Sequence, residues 1–299
     1  MNNYFIKKHD LEVKKVTKVG NITIITTPLD QFVLKDSNIN IYKYLLSRGF
    51  DYFPRIIDYT NETIMFHYEE KIEYDIEQKV LDYIRLLSLL HSKTLYFKEV
   101  EENYFYNIYD KYYNRLIDIN NYYMNLISNI ESKEYMSPCE YLVSRNISNI
   151  FYIINYSINT LKDWYEKVKE STKVRVSTLY NNIDLNNMIK NSNGMYLTSF
   201  NNTTIENPIL DLLNLYNKYY QIIDLDTILK TYEKVLKLND EEKELFNILA
   251  FIPNKIIINN KVDGICSAKK EINKIIMSIK ILNSKKEETT STHQEEDNK

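Results

Sequence analysis

Between Val174 and Phe200 the chain reads VRVSTLYNNIDLNNMIKNSNGMYLTSF: an apolar strand, a polar loop and a second short apolar strand. The spacing suits phosphoryl transfer. Such a site needs one carboxylate to orient or deprotonate the acceptor hydroxyl, and an Asn five residues later to help hold a metal. It needs a second carboxylate, on the next strand, for the metal that bridges the phosphates. Here Asn182 stands in the first acid's place, Asn187 in that of the metal-holding amide, and Ser199 in that of the second acid. An amide can hydrogen-bond a hydroxyl but is no base at neutral pH, and losing a positioned base costs ~10²–10⁴-fold. Ser199 brings no negative charge, whereas magnesium takes one or two carboxylates in such sites. The two losses fall on different parts of the mechanism and compound.

Asp184 is the acid left in the loop. Taking it as the base would put Ile189 in the amide's place, which breaks the pattern. It reads as a loop-shaping or surface carboxylate, with a rearranged metal site around Asp184 and Asn187 as the alternative.

The elements that must position these residues are legible from periodicity. Leu11 to Val19 alternates, a Gly20-Asn21 turn follows, and Ile22 to Thr27 is a β-branched run. Pro28-Leu29-Asp30 makes a second turn before a third strand, Gln31 to Lys35. Asn38 to Ser47 reads as a helix with Ile41, Leu45 and Leu46 inward, closed by Gly49. Arg55 to Tyr59 and Thr63 to Tyr68 form a hairpin. From Asp75 the pattern is mainly helical, with Val80, Ile84, Leu87 and His91 on one face. A Tyr-rich helical stretch runs over 109–130. Ser137-Pro138-Cys139-Glu140 carries a capping-box start, and behind it Val143, Ile147, Ile150, Ile154, Ile158, Leu161 and Tyr165 mark a long helix. Further helices begin near Pro208, Thr227, Glu241 and Ala268. The tail from Ser284 is charged and without apolar residues, which predicts disorder.

At 299 residues the chain can build a sizeable core. A formal net charge of −3 gives no bulk attraction to nucleic acid. The Tyr clusters, such as Tyr104, Tyr106, Tyr109, Tyr112, Tyr113, Tyr122 and Tyr123, lack the interleaved Arg of a stacking nucleic-acid surface and fit helix packing or a partner face better. Cys139 and Cys266 have neither CxxC nor metal-ligand spacing, so a reducing compartment is expected. No apolar run reaches the ~20 residues of a membrane span, and the first residues lack a signal-peptide core. The expectation is a cytoplasmic protein that binds no membrane. With 27 Tyr but only 4 Gly, the chain is poorly supplied for phosphate-cradling loops.

Taken together, these motifs resemble the aminoglycoside phosphotransferase and choline kinase type of the protein-kinase-like superfamily, whose loop reads HGDxxxxN followed by (I/V)DF. Phe32-Val33-Leu34-Lys35 is similar to the strand that carries the phosphate-binding lysine. The helix after it, over 38–47, has no acidic residue to pair with Lys35. Leu86 to Thr94 resembles the family's LHxxT helix end, where His91 takes a structural role. Glu206 to Leu212 resembles its GDPxxDL segment, and by that resemblance Asp211 braces the loop through hydrogen bonds. Tyr44 to Phe50 and Phe53-Pro54-Arg55 look like the CotS-type spore-coat branch of Gram-positive bacteria.

The resemblance implies an α+β, bilobal, kinase-like fold. Residues 1–70 would form the N-lobe, 71–283 a helical C-lobe holding the degenerate loop 174–200, and 284–299 a disordered tail. It implies a catalytically degenerate protein with no intact catalytic residue, Asn182 and Ser199 replacing its acids. Lys35 and Asn187 would be vestigial nucleotide and metal positions. No cofactor is expected, ATP and magnesium being required only if activity is retained. Partners would be a protein or a small ligand, with spore association as an option. The alternatives are a divergent ATP-dependent small-molecule phosphotransferase and a structural spore-coat component.

Overall fold

The computed structural model describes the backbone of residues 2–20, 22–259 and 261–296, and the side chains of 4–20, 22–259 and 261–284. Residues 1–98 with 173–238 form one compact unit, and residues 99–172 with 239–299 form a second. The 1–70 segment and the loop 174–200 therefore fall in the same unit.

That first unit opens with helix α1 (Asn2–Lys8), followed by β1 (Lys15–Val19), β2 (Ile22–Thr26), β3 (Gln31–Asp36), α2 (Ile39–Ser47), β4 (Ile56–Tyr59) and β5 (Thr63–His67). The five strands make one antiparallel sheet in the order β1-β2-β3-β5-β4. The β-branched run Ile22 to Thr26 suits a strand flanked on both sides, and it pairs with β1 and β3. Thr27 and Asp30 close the β2–β3 turn, with Thr27 N–H and Oγ1 both donating to the Asp30 carbonyl.

Strand alternation sends Leu34 to one face of the sheet, where it packs with Phe5, Ile25 and Met65. Helix α1 supplies Phe5, fully buried, and covers that face. The sequence pattern does not predict α1, because NNYFIKK has neither an acidic first turn nor a full turn-to-turn repeat. Helix α2 starts at Asn38, whose side chain accepts from the Asn40 N–H. It buries Ile39, Tyr42 and Leu45, a three-residue spacing. The expected inward Leu46 is instead about half exposed, at 51%.

Helix α3 (Ile76–Thr94) begins at an Asp75 cap and leads into β6 (Tyr96–Glu99). The helical unit then holds α4 (Tyr104–Glu131) and α5 (Pro138–Val168). Ser137 and Glu140 cap α5 reciprocally, as the motif predicts. Val143, Ile150, Ile154 and Leu161 are buried along α5, while Ile147, Ile158 and Tyr165 are partly buried.

Returning to the first unit, the chain forms β7 (Lys173–Leu179), a 3₁₀ turn (Leu185–Asn187), β8 (Met188–Asn191), β9 (Gly194–Leu197), β10 (Thr204–Glu206), α6 (Ile209–Tyr219) and α7 (Leu225–Glu233). Strands β8 and β9 pair as a hairpin, and β7 pairs with β10. The helical unit closes with α8 (Asp240–Phe251) and α9 (Val262–Glu296). The expected tail, 284–299, falls almost wholly outside the described side chains, and the α9 backbone is helical as far as Glu296. No described helix is long and apolar enough to cross a membrane.

Candidate functional site

A cavity of about 260 Å³ lies within the first unit. Ile22, Val33, Phe66 and Ile189 give it apolar walls, and Lys35, His67, Glu69 and Asn187 line it with polar groups. The alternation that sends Leu34 to the core turns Val33 and Lys35 toward this cavity. Lys35 Nζ donates to the Thr198 carbonyl at 3.0 Å. Among the described residues no acid forms an ion pair with Lys35, and α2 has none in its first turn. Burial pushes the Lys35 pKa below the ordinary lysine value.

The loop behind the cavity is held at its backbone. Asp211, fully buried on α6, accepts from the Tyr180 N–H at 2.6 Å and the Asn181 N–H at 3.0 Å. Its Oδ2 also lies 3.1 Å from Nε2 of buried His91, whose Nδ1 is 2.8 Å from the Tyr232 hydroxyl. The Tyr83 hydroxyl donates to the Asn182 carbonyl at 3.2 Å and accepts from the Asp184 N–H at 3.3 Å. Burial raises the Tyr83 pKa well above that of a free phenol, so it stays a donor. The Tyr219 hydroxyl accepts from the Leu185 N–H.

Asn181 has a φ of +56°. That left-handed conformation suits Gly, and Asn is among the side chains that tolerate it. Its amide donates to the Asn202 carbonyl at 2.9 Å and to Thr204 Oγ1 at 2.7 Å, which holds the turn. The sequence pattern alone does not assign Tyr83, Tyr219 or Asn181 to the bracing of the loop. An Asn at a tight turn after a strand was the one local signal available for any of them.

Asn187 Nδ2 donates to the Asn182 carbonyl at 3.1 Å, closing the loop on itself. The Asn187 carbonyl accepts from Thr198 N–H and Oγ1. Lys35, Asn187 and Thr198 thus meet at one cavity. Ser199 is 7% exposed, and its N–H donates to the Tyr180 hydroxyl at 3.2 Å. Phe200 is buried against Tyr42, Phe50, Phe53 and Tyr180. Asp184 turns away: Oδ1 accepts from the Asn186 N–H, and Oδ2 pairs with Lys218 at 2.7 Å. The Lys218 ammonium holds the Asp184 carboxyl below its ordinary pKa. Gly20 also has a positive φ, +56°, with open space around it, and its neighbour Asn21 lies outside the described residues.

These donors do not fit magnesium. Positions 182 and 199 offer a neutral amide and a hydroxyl, Asn187 could offer only its neutral amide oxygen, and Asp184 is held by Lys218. Glu69 lines the cavity but accepts from the Asn191 amide at 2.6 Å. Among the described residues no group of three or more His, Cys, Asp or Glu is placed to hold a metal ion.

The fold is kinase-like, by its likeness to solved phosphotransferase structures. An aminoglycoside phosphotransferase from Alicyclobacillus acidocaldarius superposes with a TM-score of 0.63 at 11% identity, covering 97% of this chain and 94% of its own. The AMP-bound complex of a spectinomycin phosphotransferase gives 0.51 at 10% identity, covering 93% of this chain and 98% of its own. A choline kinase from Streptococcus pneumoniae gives 0.46 at 18% identity, covering 95% and 99%. A scan against protein-family models returns no match, and neither does a search among curated proteins.

Proposed function

We propose that this chain is a catalytically degenerate kinase-like protein that acts by binding a small ligand or a protein rather than by transferring phosphate. One observation carries the reading. The loop from Tyr180 to Asn187 is fully braced, yet its two acid positions hold Asn182 and Ser199, and Lys35 is held by a carbonyl rather than a carboxylate. A base and a metal-holding carboxylate serve different steps, so their joint absence removes proton transfer and metal binding together.

A thermal-shift titration with ATP, with and without magnesium, tests this, alongside an ATP-turnover assay over a panel of small hydroxyl compounds. The expected result is no magnesium-dependent shift and turnover at background. Metal-dependent stabilisation, with turnover abolished by Asn187→Ala, would establish the divergent phosphotransferase instead.

A further inference from the structure

Lys35 combines three features. Its amine lines a largely apolar cavity that also holds His67 and Glu69, its described polar partner is a neutral carbonyl, and no described acid pairs with it. The distinction between partners matters chemically. A carboxylate would hold the ammonium form, because proton loss would break an ion pair. A carbonyl accepts one N–H from either form and leaves the lone pair of the neutral amine uncommitted. Burial favours that neutral form. A lysine desolvated in an apolar pocket is an activated nucleophile toward carbonyl compounds. Lys274, in the helical unit, is also pushed down by burial, but Glu271 opposes the shift.

We propose that Lys35 is a covalent capture site for a small single-ring aldehyde or ketone, held in the cavity as an imine. The amine lone pair attacks the carbonyl carbon and forms the C–N bond. The carbonyl π pair moves to oxygen, which takes up a proton to give the carbinolamine. Loss of water then leaves the C=N bond. Amine plus carbonyl gives imine plus water, with no oxidant or reductant. At about 260 Å³ the cavity falls just below the ~300–1,000 Å³ of pockets that bury drug-sized ligands, which limits the guest to about one ring. Ile22, Val33, Phe66 and Ile189 would sandwich that ring and exclude the water that hydrolyses imines. The proposal rests on the reading that the cleft holds no metal-bound nucleotide.

The test uses the full chain with limiting pyridoxal near neutral pH, trapped by borohydride and mapped by peptide mass spectrometry. Lys35 should carry the label before the exposed Lys43 and Lys93, and its labelling should persist to lower pH than theirs. Lys35→Arg keeps the cation but not the nucleophile and should lose the fast phase entirely. Labelling of Lys35 no faster than of Lys43 and Lys93 in the unaltered protein would overturn the proposal, and that comparison does not depend on any variant folding. Protection of Lys35 by ATP with magnesium would show that the cleft holds a metal-bound nucleotide, against the reading on which the proposal rests, whereas the labelling rate of Lys35 in the nucleotide-free protein tests the capture chemistry separately.

Discussion

Replacing Asp211 by Asn removes a charge without removing volume, and the consequence can be worked from three contacts. The carboxylate accepts from the Tyr180 N–H at 2.6 Å, from the Asn181 N–H at 3.0 Å, and lies 3.1 Å from His91 Nε2. Both Asp211 and His91 are fully buried, so water cannot take over. An Asn in the same rotamer has one carbonyl oxygen, and its NH₂ group would face the other backbone N–H. One buried donor then goes unsatisfied, at ~1–3 kcal/mol, and the remaining bonds lose their charge assistance, at ~1 kcal/mol each. The sum, ~3–5 kcal/mol, agrees with the cost of breaking a buried charged contact.

For a unit of this size each kcal/mol moves the midpoint by ~2–4 °C, so Asp211→Asn should melt ~6–20 °C below the parent protein. Circular dichroism during heating reads this directly. Asp184→Asn, four residues from the bend at Tyr180, is the control. Its pair with Lys218 is well exposed, 38% and 44% at the two side chains, and should contribute under ~1 kcal/mol. An Asp211→Asn variant within ~1 kcal/mol of the parent, or no more damaged than Asp184→Asn, would refute the account of how the loop is braced.

Three further outcomes are expected. Phe5→Ala should cost ~3–5 kcal/mol in denaturant unfolding, because a fully buried ring leaves the cluster of Ile25, Leu34 and Met65; a cost below ~1 kcal/mol would mean that α1 does not seal the sheet. Asn181→Ala should be less stable than Asn181→Gly by ~1 kcal/mol, since both lose the bonds to Asn202 and Thr204 but Ala alone bears the left-handed strain. The pKa of Glu140 is depressed from 4.5 to about 2 by Lys133 and the Ser137 cap, so its contribution to stability is complete above pH 4.5 and is lost as pH falls through about 2. Unfolding midpoints of the parent and Glu140→Gln, followed from pH 7 to 2, should therefore converge at the acid end.

The individual elements were legible because their signals are local, while the kinase-like arrangement came from the resemblance of the motifs. Strand alternation in Phe32 to Lys35, the capping box at Ser137 and Glu140, and the periodic face of α3 each lie within a few residues. What sequence reasoning missed depends on distant partners. Nothing near Tyr83 says that its hydroxyl will meet the backbone at Asn182, 99 residues on. The bond from Leu185 to Tyr219 is equally invisible until α6 docks. Leu46 misled for a different reason. An apolar pair at 45 and 46 fits two helix faces equally well, and the buried stripe of Ile39, Tyr42 and Leu45 decided between them. Helix α1 was missed because burial of Phe5, rather than any cap or repeat, holds it in place.

The bracing of the loop and the side chains at positions 182 and 199 involve different atoms. Asp211, Tyr83, Tyr219 and the Asn187 amide all bind backbone groups of 180–187, so the loop keeps its shape whatever side chain stands at 182. Position 199 is different. Ser199 is 7% exposed and directly follows Thr198, whose carbonyl holds Lys35. Ser199→Asp would place a carboxylate at a buried position one residue from that carbonyl, where an unpaired charge is costly and a pair with Lys35 would offset it. Pairing would return Lys35 to its ammonium form and remove its free lone pair. Ser199→Asp should therefore slow pyridoxal labelling of Lys35 well below the parent rate while Lys43 and Lys93 label as before. Unchanged labelling in a folded Ser199→Asp protein would mean that Lys35 reactivity does not depend on whether position 199 carries a carboxylate.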